Sequence, residues 1–330
     1  MSAAITLPQG VELCHLPAEF RLARGGVLRG ASLAFERQGP IGAPVTVVLG
    51  GISAGRHLSA HRGVPGPGWW EGFVGEGLAI DTARYQVLGF DWLGGCGSST
   101  APGAGESFPF VGAEDQAAAL AHLLTELRIE RVHALIGSSY GGMVGLQFAA
   151  RFPQQVARLC TLGAAHQSHP QASAWRAVQR GVVELGLATG KGREALSLAR
   201  ALAMTTYRTP GELADRFGCE PQFVEQTVRF PVQDWLEARG AEFARAWLPE
   251  QFLCLNASID AHRVDPASVT VPCWLGGFVG DQLVPPAQVR ELAAGLPKLR
   301  EHREIRSRYG HDAFLKERLA VSALLREVLA

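Results

Sequence analysis

One stretch constrains this chain more than any other: Val132-His133-Ala134-Leu135-Ile136-Gly137-Ser138-Ser139-Tyr140-Gly141-Gly142-Met143. A short apolar run ends in G-x-S-x-G, and a segment of small residues able to form a helix follows as far as Arg151. This is the layout of a strand–turn–helix elbow that holds a serine at the tip of the turn. Such a turn demands strained backbone angles at Ser139, and a side chain at Gly137 or Gly141 would strike the adjoining strand and helix. Ser139 Oγ is then presented at a helix N-terminus, where developing negative charge is favoured. In a chain with 39 glycines the five residues alone are weak evidence; the strand and helix signals on either side make them informative.

The segments around the elbow fix the fold class. Val45-Thr46-Val47-Val48-Leu49 is a β-branched run ending at Gly50-Gly51, which suggests a buried parallel strand. Tyr85–Trp92 reads as a second strand, Ala113–Leu127 as a helix behind Glu114 and Asp115, and Val156–Ala164 as a strand after the elbow helix. Extended signals near Glu19–Arg24 and Ala31–Arg37 make residues 1–44 a β-rich lead-in. Strands and helices alternating with short connections mean α/β with a parallel sheet. From about 170 to 265 the pattern is helical, broken by Pro210, Pro221 and Pro231, with no convincing strands. Thr270–Val279 then returns to strand character, Pro286–Leu296 reads as a helix, and a last strand lies near His302–Arg306. A final helix opens at Gly310–Leu315 and runs toward Ala330. The expected organisation is therefore a core in two parts, residues 1–169 and 266–330, with a helical cap of residues 170–265 inserted between them.

Composition excludes several functions. Formal net charge is zero, so there is no electrostatic case for nucleic acid or an anionic membrane surface. No apolar run approaches the ~20 residues of a spanning helix. Met1–Gly10 lacks the basic start and apolar stretch of a signal peptide, which leads us to expect a cytoplasmic protein. Six scattered cysteines show neither C-x-x-C pairing nor metal-ligand spacing to a histidine, so we expect reduced, mostly buried thiols and no metal. The glycine-rich loop Leu93–Thr100 lacks the G-K-[ST] ending and a nearby lysine, which rules out a phosphate-binding P-loop.

A serine hydroxyl needs a base to take its proton, and the base needs an orienting group. In α/β-hydrolase folds the order along the chain is Ser, then Asp or Glu, then His. Asp281 directly follows a late apolar strand and His311 follows the last one, so both emerge at the same sheet edge as Ser139. His311 is the expected general base and Asp281 its orienter; Asp260 is an alternative acid, in a less usual position. His133 within a strand, His166 and His169 near a strand end, and His262 in the cap lack that strand-to-loop setting. The loop Gly50-Gly51-Ile52-Ser53-Ala54 and the residue after the serine supply the oxyanion donors in such folds, here Ile52 and Tyr140 N–H.

Taken in order, five motifs resemble the homoserine O-acyltransferases of the α/β-hydrolase superfamily. They are Gly68-Trp69-Trp70-Glu71, Ala79-Ile80-Asp81-Thr82, Gly137–Met143, Gly280-Asp281-Gln282-Leu283-Val284-Pro285 and Tyr309-Gly310-His311-Asp312-Ala313-Phe314-Leu315. The similarity runs from about Val27 to Leu324. It implies ping-pong acyl transfer from acyl-CoA through Ser139 to an amino-acid hydroxyl, with acyl-CoA a substrate and no cofactor. It also implies that Arg200 and Tyr207 from the cap, with Asp312, recognise the acceptor's zwitterion. An arginine suits a carboxylate and an aspartate an ammonium. Seven apart on a helix, Arg200 and Tyr207 share a face and would equally suit cap packing; Asp312 would equally suit a helix N-cap.

Acetyl-CoA-using members of the family carry His-Ala-Leu-Thr-Gly where this chain has Gly50–Ala54, and the chain is shorter than many of them. Gly51, Ile52, Ser53 and Ala54 are thus expected to set acyl specificity, and the chain looks like the succinyl-CoA-using branch. The extra carboxylate of a succinyl donor needs a cation or donors nearby, for which Arg56 or Ser53 is the candidate. The leading expectation is a homoserine O-succinyltransferase in methionine biosynthesis, with homoserine O-acetyl and serine O-succinyl transfer as close variants. A serine esterase or thioesterase, a peroxidase-type member, or a catalytically inactive binding module are the other readings. Members of the family commonly dimerise through the cap, so a homodimer is expected.

Overall fold

Eight strands form the central sheet of the computed structural model, which describes residues 10–330. They are β1 (Glu12–His15), β2 (Ser32–Gln38), β3 (Val45–Leu49), β4 (Gln86–Phe90), β5 (Ala134–Ser138), β6 (Leu159–Leu162), β7 (Cys273–Val279) and β8 (Leu299–Arg306). Their spatial order is β1-β2-β4-β3-β5-β6-β7-β8. β2 runs antiparallel to both its neighbours and the other pairings are parallel. The order reverses between β3 and β5, so the loops leaving these two strands diverge and open a crevice at their C-terminal ends, the usual ligand position in open α/β sheets.

β3, β4 and β5 are buried at every residue, because helices cover both sheet faces. On one face, α1 (Ala113–Glu126) and α2 (Tyr140–Arg151) contribute Leu120, Leu124, Val144 and Phe148 to the core. On the other, the C-terminal helix contributes Val321, Leu324, Leu325 and Val328, packed with Trp70 and Phe73. Trp70 stacks between Trp69 and Phe73, and its indole N–H donates to the Phe314 carbonyl at 3.1 Å. That bond ties the loop before β4 to the segment after His311.

Between β6 and β7 the chain makes five helices: α3 (Pro170–Ala188), α4 (Gly192–Tyr207), α5 (Pro210–Phe217), α6 (Pro231–Ala246) and α7 (Pro249–Ala261). Pro210 and Pro231 start helices rather than only breaking them, since proline's missing N–H costs nothing in a first turn. α8 (Pro286–Gly295) follows β7.

Four expectations from the sequence are corrected. The cap does contain strands, a short antiparallel hairpin of Gln222–Val224 with Thr227–Arg229. The last strand begins at Leu299, in register with Cys273, with polar residues along its exposed edge obscuring the apolar signal. His133 precedes β5 instead of lying in it, with its Nε2 beside the Leu329 carbonyl and Arg158. The final helix is also broken: a 3-10 turn at Gly310–Asp312 leads into α9 (Ala313–Lys316), and after Glu317 the chain restarts as α10 (Arg318–Leu329). Part of the N-terminal lead-in, residues 1–9, lies outside the described residues.

Candidate active site

Ser139 has φ 53° and ψ −121°, the left-handed strain expected of the elbow. The surroundings enforce it. A Cβ on Gly137 would collide with the Gly141 carbonyl, and one on Gly141 with the Leu49 and Gly50 carbonyls. The Gly141 N–H donates to Gly50 O at 2.8 Å, which locks the elbow to the loop after β3. Gly50 is itself confined, since a Cβ there would meet Ala54 and the Trp69 ring.

Ser139, Asp281 and His311 converge. Ser139 Oγ lies 2.8 Å from His311 Nε2, and His311 Nδ1 lies 2.7 Å from Asp281 Oδ2. The other Asp281 oxygen accepts the N–H groups of Leu283 and Val284, each at 2.9 Å. With the carboxylate so held, its second oxygen fixes His311 as the Nδ1–H tautomer, and Nε2 is free to accept the serine proton. Burial disfavours charge on the His311 ring, but the charge and hydrogen bond of Asp281, helped by Asp312, outweigh it and raise the pKa. Asp260 stands elsewhere, in the cap, paired with Arg176 at 2.7 Å and Arg180 at 2.6 Å.

The N–H groups of Ile52 and Tyr140 donate to no protein acceptor among the described residues. Their orientation has a cause that the sequence did not announce. The Gly51 carbonyl accepts the Trp92 indole N–H at 3.0 Å and the Ala54 N–H at 2.9 Å. In a trans peptide C=O and N–H point opposite ways, so anchoring Gly51 O turns the Ile52 N–H away from Trp92. A Cβ on Gly51 would sit 3.9 Å from that of Ser139, so this peptide borders the serine. Trp92 also packs edge-on against Tyr140, whose buried hydroxyl bonds Ser258 of α7 at 2.6 Å. Desolvation pushes the Tyr140 phenol well above its usual range, which keeps it neutral.

Above Ser139 lies a cavity of about 230 Å³, walled by the Gly51–Ala54 loop, the His311–Leu315 segment and helices α3, α4 and α7. Arg200 and Tyr207 both line it, as the shared helix face requires. The Arg200 guanidinium donates to the Tyr207 hydroxyl at 3.2 Å and lies 4.8 Å over the Phe243 ring, with no carboxylate in ion-pair range among the described residues. Asp312 also lines the cavity and opens α9, yet its side chain makes no capping bond. Instead it pairs with Arg208 at 3.0 Å. Burial raises the Asp312 pKa despite Arg208, His311 and Arg200.

Two residues differ from expectation. Arg56 is not in the cavity: its guanidinium pairs with Asp91, whose carboxylate also accepts the Arg56 and Ser98 N–H groups, each at 2.9 Å. Beside Arg200, a second cation lines the cavity: Arg176 of α3, buried and bonded to Asp260 and Ser168. Nothing in the local sequence marks it, since only the packing of α3 over the crevice turns that face inward. Ser53 does line the cavity.

Away from the cavity, Glu36, His57 and His61 place ligand-type atoms within 4.8 Å of one another. Glu36 Oε1 faces His57 Nδ1 at 2.8 Å and His61 Nε2 at 2.9 Å. His57 Nε2 is used by the Gly66 carbonyl at 2.7 Å and His61 Nδ1 accepts the Gly63 N–H at 3.2 Å. The latter bond puts the His61 proton on Nε2, where a metal would need a lone pair, so the cluster is a hydrogen-bonded clamp on a buried carboxylate. Six cysteines are free; Cys14, Cys160 and Cys273 are buried, and Cys219 is exposed. No helix among the described residues is long and apolar enough to cross a membrane.

Comparison with known proteins agrees with this geometry. Residues 44–237 match the alpha/beta hydrolase fold family. The homoserine O-succinyltransferase of Xanthomonas campestris pv. campestris is 44% identical over 301 residues, 91% of this chain and 79% of that protein. The homoserine O-acetyltransferase of Thermobifida fusca is 34% identical, over 94% of this chain and 91% of that one. The crystal structure of homoserine O-acetyltransferase from Bacillus anthracis superposes with a TM-score of 0.89 at 19% identity, covering 98% of each chain, which shows the shared fold. With an elbow serine, its partners and this degree of likeness, the chain belongs to the homoserine O-acyltransferase family of α/β hydrolases.

Proposed function

We propose that this protein is a homoserine O-succinyltransferase working by a serine acyl-enzyme. The observation that carries the reading is a pair of guanidinium groups, Arg176 and Arg200, in the one cavity above Ser139. Succinyl transfer to an amino acid brings two carboxylates into that space, one on the acyl group and one on the acceptor. Arginine's planar fork suits both. Arg176 already meets Asp260 within the protein, so it would offer a succinyl carboxylate the donors that this pair leaves over, and an acetyl group would use none of them.

In this mechanism Ser139 Oγ attacks the thioester carbonyl as His311 Nε2 takes its proton. The oxyanion is held by Ile52 and Tyr140 N–H, and the intermediate collapses as the imidazolium returns the proton to the departing CoA sulfur. Homoserine then enters, its carboxylate on Arg200 and Tyr207 and its ammonium on Asp312, which Arg208 positions from the other side. His311 takes the proton of its hydroxyl, which attacks the acyl carbon; collapse expels Ser139 Oγ, which recovers the proton from His311. No step calls for a cofactor. Arg176, on the α3 wall of the cavity, receives the succinyl carboxylate, in the role that the sequence had suggested for Arg56 or Ser53. The acyl-selecting function of Gly51–Ala54 becomes one of shape and backbone donors. Helices α3–α7 act as a cap, and their exposed Val178, Leu185 and Leu198 suit a homodimer interface. We place the enzyme in methionine biosynthesis and in the cytoplasm.

The test is CoA release by purified protein given succinyl-CoA or acetyl-CoA, each with homoserine, serine or no acceptor, with products identified by mass spectrometry. The expected result is homoserine-dependent release with O-succinylhomoserine as product. In Arg176→Met the succinyl donor should lose at least ~10-fold in kcat/KM while the acetyl donor loses less. Release indifferent to the amino acid would mean a hydrolase and sink the reading. Equal losses on both donors would remove Arg176 from donor selection.

A further inference from the structure

Glu212 is a buried carboxylate that the reaction above does not use and that stability does not explain. It is 6% exposed on α5, where Thr209 caps the helix by accepting the Glu212 N–H at 3.2 Å. The Thr-x-x-Glu spacing would let Glu212 bond back to the Thr209 N–H as a capping box, yet only the Thr209 half of the box forms. Glu212 Oε2 is buried with no hydrogen-bond partner among the described residues. Its Oε1 is met at long ion-pair distances, 3.5 Å from Arg208 and 4.0 Å from Arg216. Burying a charge on such terms is costly. What Glu212 does have is a place beside Arg208, whose Nε lies 3.0 Å from Asp312. One guanidinium thus bridges two carboxylates, and Asp312 is the one that lines the chamber above Ser139.

Asp312 faces a conflict. Burial disfavours its charge, and Arg208 does most to keep it ionised. A carboxylate neutralised by a guanidinium, however, attracts a cation only weakly. A second carboxylate on the same guanidinium resolves this, because two carboxylates and one guanidinium leave one net negative charge. Arg216 and Lys316 flank the group, but both side chains are exposed, where solvent screens them. In the same chamber Arg200 carries a positive charge with no carboxylate in ion-pair range among the described residues. We propose that Glu212 is a positioning residue for the acceptor's ammonium: by sharing Arg208, it lets Asp312 stay ionised without having its charge cancelled. The inference rests on the reading of the enzyme as an amino-acid acyltransferase. It makes the chamber select a zwitterion over a plain hydroxy acid, with the ammonium drawn to the Asp312 group and the carboxylate to Arg200. A hydrolase of neutral esters has no use for a second buried carboxylate there.

The experiment uses the intact protein, the near-isosteric variant Glu212→Gln and the charge-keeping variant Glu212→Asp. Transfer from succinyl-CoA, or from acetyl-CoA if the native protein prefers it, is measured with homoserine and with γ-hydroxybutyrate, which keeps the hydroxyl and carboxylate but lacks the ammonium. The pre-steady-state CoA burst reports acylation of Ser139, and melting temperature reports the fold. In Glu212→Gln, KM for homoserine should rise about 10-fold with kcat and burst within about twofold, and the preference for homoserine over γ-hydroxybutyrate should fall by the same factor. Glu212→Asp should recover most of both. The melting temperature of Glu212→Gln should stay level or rise, because removing a poorly paired buried charge relieves a cost; a purely structural role predicts the reverse. An unchanged homoserine KM, equal losses on both acceptors, or a lowered melting temperature with a lost burst overturns the proposal. CoA release that ignores homoserine overturns the transferase reading and this proposal with it; that result is read on the native protein alone, so the two failures are distinct.

Discussion

Replacing Asp281 by Asn changes one atom's chemistry in a carboxylate whose two oxygens have different duties. One oxygen accepts two backbone N–H groups, from Leu283 and Val284 at 2.9 Å, and the other faces His311 Nδ1 at 2.7 Å. The amide must keep its oxygen on the two backbone donors, because turning it would set its NH₂ against them. The NH₂ then faces His311 Nδ1, which becomes an acceptor, and the ring proton moves to Nε2. A ring of that tautomer cannot take the Ser139 proton. Imposing the wrong tautomer on a triad costs about 10⁴-fold in kcat, which is about 5.4 kcal/mol at 1.36 kcal/mol per decade. KM should move little, since Asp281 does not line the cavity.

The pH profile provides a second readout. In the native protein the His311 pKa is raised, so the neutral base is lost as pH falls through a value above the ordinary 6.5. Activity should therefore rise with pH through that point and then level off. Stability runs the other way: a group with a raised folded-state pKa contributes stability that is present below 6.5 and lost as pH rises through the folded value. Asp281→Asn should lower the apparent pKa of the residual activity and flatten this part of the stability profile. The assay is homoserine-dependent CoA release from pH 5 to 9, with melting temperature followed in the same buffers. A folded variant within about tenfold of native kcat would refute the tautomer argument.

Trp92→Phe keeps the packing against Tyr140 but loses the N–H that holds Gly51 O; with the Ile52 donor less well aimed, kcat should fall about tenfold with KM little changed. An unchanged kcat would show that the Ala54 N–H alone anchors this peptide. Gly141→Ala drives a Cβ into the backbone carbonyls of Leu49 and Gly50, which cannot withdraw as a side chain would; a loss of about 3 kcal/mol or more is expected. A variant as stable as the native protein in calorimetry would mean the elbow relaxes. Arg200→Met should raise KM for homoserine at least ~10-fold with little effect on hydrolysis of the acyl-enzyme by water, and stopped-flow CoA burst amplitudes would separate the two. Leu185→Asp, on an exposed apolar position of α3, should shift light scattering from dimer to monomer; a native protein that is already monomeric would dismiss the cap interface.

The elbow turn and the placing of Asp281 and His311 beside Ser139 were legible in the sequence because they depend on local rules. G-x-S-x-G describes contacts within and beside one turn, and the structure shows those contacts as overlaps that Gly137 and Gly141 avoid. Asp281 and His311 could be picked out because parallel strands all end at the same sheet edge, so a residue just past a strand is delivered there whatever lies between. Apolar runs likewise gave the sheet, although the polar β8 and the broken C-terminal helix were read too simply, since the break at Glu317 has no strong local breaker.

What tertiary structure alone decided is which cations face the chamber. Arg56 is close to the oxyanion loop in sequence yet is held by Asp91 just past the neighbouring strand, while Arg176, far along the chain, is turned inward by the packing of α3 over the crevice. The same holds for Trp92, whose indole N–H reaches a carbonyl 41 positions away, and for Asp312, taken by Arg208 rather than by a helix end. Periodicity in a helix says that one face is buried but not what it is buried against. A charged or polar side chain takes its role from the partners that meet it there, and those partners come together only when helices α3–α7 pack over the sheet.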